Sequence, residues 1–138
     1  MPVISQAAVN DIAGTWSVAE NYGSGGTFSA VWRIVKKSET AKVIKYKVTA
    51  TRPSGAVQNG TAKLKKSNNK ASVKHPCYGT GCGTCAYKFK GTATPTTISG
   101  SADYCSGAFP GTFVATRTAD NADEGIVPNE SDNGLNPN

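Results

Sequence analysis

Lys42-Val43-Ile44-Lys45-Tyr46-Lys47-Val48-Thr49-Ala50-Thr51 carries Ile44, Tyr46, Val48 and Ala50 at every second position, with Val43, Lys45, Lys47 and Thr49 between them. Side chains of a strand alternate between faces, so this period of two marks a half-buried β-strand with an outer face tipped by lysines. Similar runs recur on both sides. Thr15 to Glu20 precedes the turn-rich Asn21 to Gly26, and Thr27 to Val35 sets Phe28, Ala30, Trp32 and Ile34 on one face. Arg52-Pro53-Ser54-Gly55 turns the chain, and Thr61 to Lys65 follows Asn59-Gly60, which reads as a tight turn or a bulge. After Ser67-Asn68-Asn69, Ala71, Val73 and His75 share a face; Gly111 to Arg117 is the last run. The best hairpin pairs Cys85 to Ala93 with Ile98 to Tyr104 around Pro95-Thr96. If opposed residue numbers sum to 191, Tyr87 faces Tyr104, Phe89 faces Ala102, Gly91 faces Gly100 and Ala93 faces Ile98, leaving one face apolar or small throughout.

Eight such runs between Gly14 and Arg117 predict an all-β fold, a small eight-stranded antiparallel up-and-down barrel or, alternatively, a β-sandwich. The chain of 138 residues is one domain in length. It holds 11 Val, 6 Ile and 15 Thr against 2 Leu and 1 Met, which starves a helical bundle of its usual residues. No apolar run reaches the ~20 residues of a bilayer-spanning helix, so no membrane span is expected. All fifteen Lys and Arg lie at or before Arg117, with four acids, and five acids follow; the body is +11 and the segment after it −5. Residues 1–117 are therefore expected to form the barrel domain and residues 118–138 a flexible, disordered acidic C-terminal tail, too poor in apolar groups to order alone.

Gly14-Thr15-Trp16 opening the first strand and Arg117 in the last resemble the closure of the calycin barrels, the group of lipocalins, fatty-acid-binding proteins and avidin-like proteins. The resemblance implies a closed barrel with Trp16 under Arg117, a cation-to-ring contact that shuts one end. It also implies a non-catalytic binding module for a small apolar ligand. Avidin-like biotin sites draw on tryptophans of later strands, and none follows Trp32.

Cys77, Cys82, Cys85 and Cys105 allow three disulfide pairings. The preferred one joins Cys85 to Cys105, which needs a bulge because Cys85 stands opposite Ser106 in the register above, and Cys77 to Cys82. Disulfides imply an extracellular or otherwise oxidising compartment, or the surface of a virion or other particle. The string Cys77-x4-Cys82-x2-Cys85 also resembles the cluster loop of plant-type [2Fe-2S] ferredoxins, which implies an electron carrier, and zinc held by the four cysteines or with His75 is a third reading.

Catalysis is not expected. His75 is the one histidine, the body's acids Asp11, Glu20, Glu39 and Asp103 are scattered, and no phosphate-binding or dinucleotide fingerprint is present. No cofactor is called for. The aromatic set Phe28, Trp32, Tyr46, Tyr87 and Phe89 would either line a modest apolar cavity for the small ligand or fill the barrel. A second reading makes the protein a structural subunit or decoration unit of a larger particle or filament, its loops and acidic tail gripping neighbouring subunits. A third assigns Lys45, Lys47, Lys63 and Lys65 to a polyanion, with the stripe otherwise a solubilising face that blocks edge pairing.

Overall fold

The computed structural model describes residues 11–79 and 81–120. Its strands are β1 (Gly14–Asn21), β2 (Thr27–Glu39), β3 (Val43–Thr51), β4 (Val57–Lys65), β5 (Lys70–Pro76), β6 (Ala86–Ala93), β7 (Thr97–Tyr104) and β8 (Phe109–Asp120), with one short 3-10 turn at Gly23–Gly25. Each strand pairs antiparallel with the next, and β8 pairs with β1, so the sheet closes as an eight-stranded up-and-down barrel and not as a sandwich. The β6–β7 hairpin has the register that sums to 191, from Tyr87 with Tyr104 to Ala93 with Ile98. Strand β8 runs three residues past Arg117; the remainder of the acidic segment, from 121 on, lies outside the described residues. No helix among the described residues is long and apolar enough to cross a membrane.

The alternation seen in the sequence decides what lies inside. Ile44, Tyr46, Val48 and Ala50 of β3 are all buried, as are Ala71, Val73 and His75 of β5. At mid-height the interior is filled by rings: Trp32 meets Phe89 edge-on at 4.9 Å and Phe113 at 5.7 Å, while Phe89 and Phe113 meet at 5.2 Å. Such aromatic pairs each add about 0.5–1.5 kcal/mol beyond their burial. Small residues accommodate the bulk. Gly91 and Gly100 face each other across β6 and β7, where a Cβ on either would come 2.1 Å from a backbone oxygen of the neighbouring strand. Asn59-Gly60 is neither turn nor bulge. It pairs straight through with Thr49 and Val48, and a side chain at Gly60 would strike Lys74 O at 2.1 Å and His75 Cβ at 2.6 Å. The glycine is there for close approach, not for bending.

One barrel end is sealed around Trp16. The β1–β8 register shifts between Thr15 and Trp16, leaving Trp16 directly opposite Arg117. The Arg117 guanidinium lies 4.5 Å from the indole centroid and donates to the carbonyls of Asp11 (2.8 Å), Ala13 (2.6 Å) and Pro95 (2.9 Å). Trp16 Nε1 donates to Ile12 O at 3.0 Å, and the Tyr46 hydroxyl bonds Asp11 Oδ1 at 3.1 Å and accepts from the Ile12 amide at 3.2 Å. Residues 11–13 thus strap the base of the barrel. Trp16→Ala removes the largest group of this plug and should cost ~3–5 kcal/mol in a urea titration. Arg117→Ala should cost more than an ordinary surface change; near-neutral results for both would show that the base is closed by other contacts.

Candidate functional site

The opposite end, the mouth, is built from residues that no sequence pattern brought together. Glu20 ends the inward row of β1 and Arg52 follows β3; the guanidinium takes both carboxylate oxygens, at 2.6 and 3.2 Å. Tyr22 donates its hydroxyl to Glu20 Oε1 at 2.7 Å. Rings surround Arg52, with centroids at 4.4 Å for Tyr78, 5.1 Å for Phe28 and 5.2 Å for Tyr87. Burial pulls the Arg52 proton affinity down, but Glu20 outweighs it and the net shift is upward. Burial first, and then the bond to Glu20, raises the Tyr22 phenol well above its ordinary value. The pair is almost fully desolvated, so removing either partner would leave a buried charge, a loss typically of ~3–5 kcal/mol.

Above this floor is an open cup of about 160 Å³ lined by Tyr22, Gly25, Phe28, Tyr87, Tyr104 and Phe109. Tyr87 and Tyr104 lie 4.4 Å apart, and Phe109 follows Tyr104 at 6.0 Å. Phe28 and Phe109 remain 45% and 48% exposed, two large rings left in solvent at one barrel rim. A groove on the far side of Phe28 runs past Glu20, Arg52 and Thr112.

The five ring residues singled out in the sequence separate. Trp32, Tyr46 and Phe89 are fully buried in the packed core, Tyr46 being part of the base. Phe28 stands at the rim and not inside, while Tyr87 is half-buried beneath it, so two of the five line the cup. The cysteines form Cys77–Cys82 and Cys85–Cys105. No bulge is used for the second bond. The β6–β7 pairing ends at Tyr87 and Tyr104, and Cys105 and Ser106 take left-handed φ of 62° and 55°, which turns Cys105 back toward Cys85. With all four sulfurs bonded to each other, the ferredoxin-like electron carrier and the zinc reading have no thiolates left to draw on.

The outer wall of β3–β6 is a lattice of lysines. Lys45 stands opposite Lys63, Lys65 opposite Lys70 and Lys74 opposite Lys88. Like charges directly opposed across strands disfavour the pairing by roughly 0.2–1 kcal/mol each. Lys47 and Lys90 extend the lattice, and residues 43–93 contain no Asp or Glu. The acids that lie near are at the margins: Asp103 opposite Lys88, and Glu39, which bonds Lys36 and Lys66 and is held down to about 2 by those two hydrogen bonds. The other half of the wall differs. Ser17 and Ala19 of β1, Ser29 and Val31 of β2, Ser99 of β7 and Val114 and Thr116 of β8 face outward without charge, whereas β2 also carries Arg33, Lys36, Lys37 and Glu39, and β7 carries Asp103.

A closed eight-stranded antiparallel barrel with a plugged interior is the class that fold and site define. Two solved structures are similar to it: a redesigned β-barrel, mFAP1, bound to DFHBI (TM-score 0.52, 15% identity, covering 83% of this chain and 98% of that one), and a second redesigned β-barrel (TM-score 0.55, 16% identity, covering 83% and 95%). At such identities the likeness shows the fold alone. No protein-family model matches the chain, and no curated protein matches it in sequence.

His75 offers a test of the mouth's electrostatics. It is 2% exposed, Nδ1 lies 2.7 Å from Pro76 O, and a carbonyl can only accept, so Nδ1 carries the proton and Nε2 is an acceptor with no hydrogen-bond partner among the described residues. Burial lowers its pKa from 6.5. The unfolded chain then binds a proton that the folded one refuses, so stability is full above the ordinary histidine value and falls as pH drops from there through the lowered value. His75→Phe should abolish this part of the decline between pH 7 and 5 in denaturant titrations. An unchanged pH slope in the variant would assign the decline to other groups.

Proposed function

We propose that the protein is a non-catalytic binding barrel whose mouth cup receives one uncharged six-membered ring of a small apolar ligand. The observation that carries this is the cup itself, five aromatic residues around about 160 Å³ with Phe28 and Phe109 half in solvent. An apolar cavity of about 150 Å³ is known to suffice for benzene. The packed core below and the Arg52–Glu20 floor keep the ligand at the rim, and the neutralised floor offers it no net charge. That a redesigned barrel of this architecture has been seen bound to DFHBI supports the reading only by analogy.

Phenol and indole are the probes. With nine heavy atoms, indole should saturate with a dissociation constant on the order of 0.1–1 mM. In NMR titrations the shifts should centre on Tyr22, Phe28, Tyr104 and Phe109, and Phe109→Ala should weaken binding about tenfold, the loss of one stacking wall. Absence of saturation, or shifts centred on Trp32 and Phe89, would overturn the cup as the site.

A further inference from the structure

We propose that the lysine lattice on β3–β6 binds an acidic polysaccharide, a chain of sugars bearing carboxylate or sulfate groups. This surface is independent of the mouth cup. A face that serves solubility gains from mixed signs, which keep the potential low and let neighbouring strands pair without repulsion. Here three lysine pairs oppose each other directly on four adjacent strands, in a 51-residue stretch without an acid. Lysines two apart on one strand are about 6.7 Å apart and the strands about 4.8 Å, so the lattice is a two-dimensional grid of cations about 14 Å across. An extended polyanion can lie along any row of it.

The chemistry of the face selects among polyanions. Its cations are all lysine, point charges that answer to the density of negative charge and not to the shape of any one anionic group. No ring stands among them: Tyr46 and Phe89 of the same strands point inward and are buried, so unpaired bases have nothing to stack on. The two disulfides suit an oxidising compartment, where acidic polysaccharides are met more than nucleic acid. A sugar chain recognised by charge density fits each of these features.

The full chain is titrated, at low and at physiological salt, with three probes of matched length: polyuronate, heparin and duplex DNA. Polyuronate or heparin is expected to bind at low salt and to weaken by roughly tenfold or more at physiological salt. Lys45→Gln with Lys63→Gln should weaken that binding at least tenfold while the melting temperature holds or rises, since an opposed pair has been relieved. Lys36→Gln, which removes a cation already paired with Glu39 and Asp11, should change it little. The proposal is overturned if neither polysaccharide binds at low salt, if the DNA binds more tightly than both, or if Lys36→Gln weakens binding as much as the lysine pair does. Because the cup is read with neutral rings, its failure would leave these titrations unaffected, and theirs would leave the cup standing.

Discussion

A closed barrel has two ends where the alternation of inward and outward residues stops, and the apolar core must be shut off from water at each. Both ends here use the same device, an arginine laid on aromatic rings. At the base, Arg117 sits on Trp16 and donates to three backbone carbonyls, those of Asp11 and Ala13 part-buried. At the mouth, Arg52 sits among Tyr78, Phe28 and Tyr87 and neutralises Glu20. A guanidinium is suited to this position because it is weakly hydrated, flat enough to stack and able to donate at its rim while its face is covered. Everything between the two plugs can then be apolar.

That arrangement leaves the centre of the barrel without room for a ligand. An eight-stranded barrel is just wide enough for side chains to fill, and Trp32, Phe89 and Phe113 fill this one at mid-height. A ligand cavity at the centre would require the loss of at least one of these rings. The surfaces that remain open are the rim, where the aromatic packing runs out into solvent at Phe28 and Phe109, and the outer wall. The disulfides belong to the rim as well. Cys85–Cys105 ties the ends of β6 and β7 directly beside Tyr87 and Tyr104, and so fixes the spacing of two cup residues that a frayed hairpin end would leave loose.

The strands and the β6–β7 register were legible because period-two alternation is a local signal, and a one-residue slip would have turned Phe89 and Ile98 to solvent. The base plug was legible through a resemblance, from Trp16 and Arg117 at opposite ends of the chain. The mouth was not. Arg52 stands in an Arg-Pro-Ser-Gly turn and reads as turn chemistry, and nothing local ties it to Glu20, 32 residues earlier. His75 and Tyr78 flank a Pro-Cys step that reads as loop. The misreading of Asn59-Gly60 has the same origin: the pair is a strong hairpin signal in isolation, whereas Gly60 is required by His75 on the neighbouring strand, a contact that only the closed sheet creates. Phe28 failed in the opposite way, since its parity with Trp32 is inward but its height on β2 places it above the core.

Parity also explains how one sequence maintains two unlike surfaces without conflict. On β3 to β6 every inward position answers to packing, and every outward position is free of it, so lysines can accumulate there without disturbing Ile44, Tyr46 or Leu64. Nothing in the fold asks for them to be opposed. A strand pair is better served by Lys against Glu or Thr, as Lys47 against Thr61 shows on the same wall. The opposed lysines therefore work against the pairing of the strands that carry them, and packing does not account for their number. The rim is governed differently: its rings are held by the same contacts that seal the mouth, so a change there acts on stability directly, while the charge of the lattice is opposed to it.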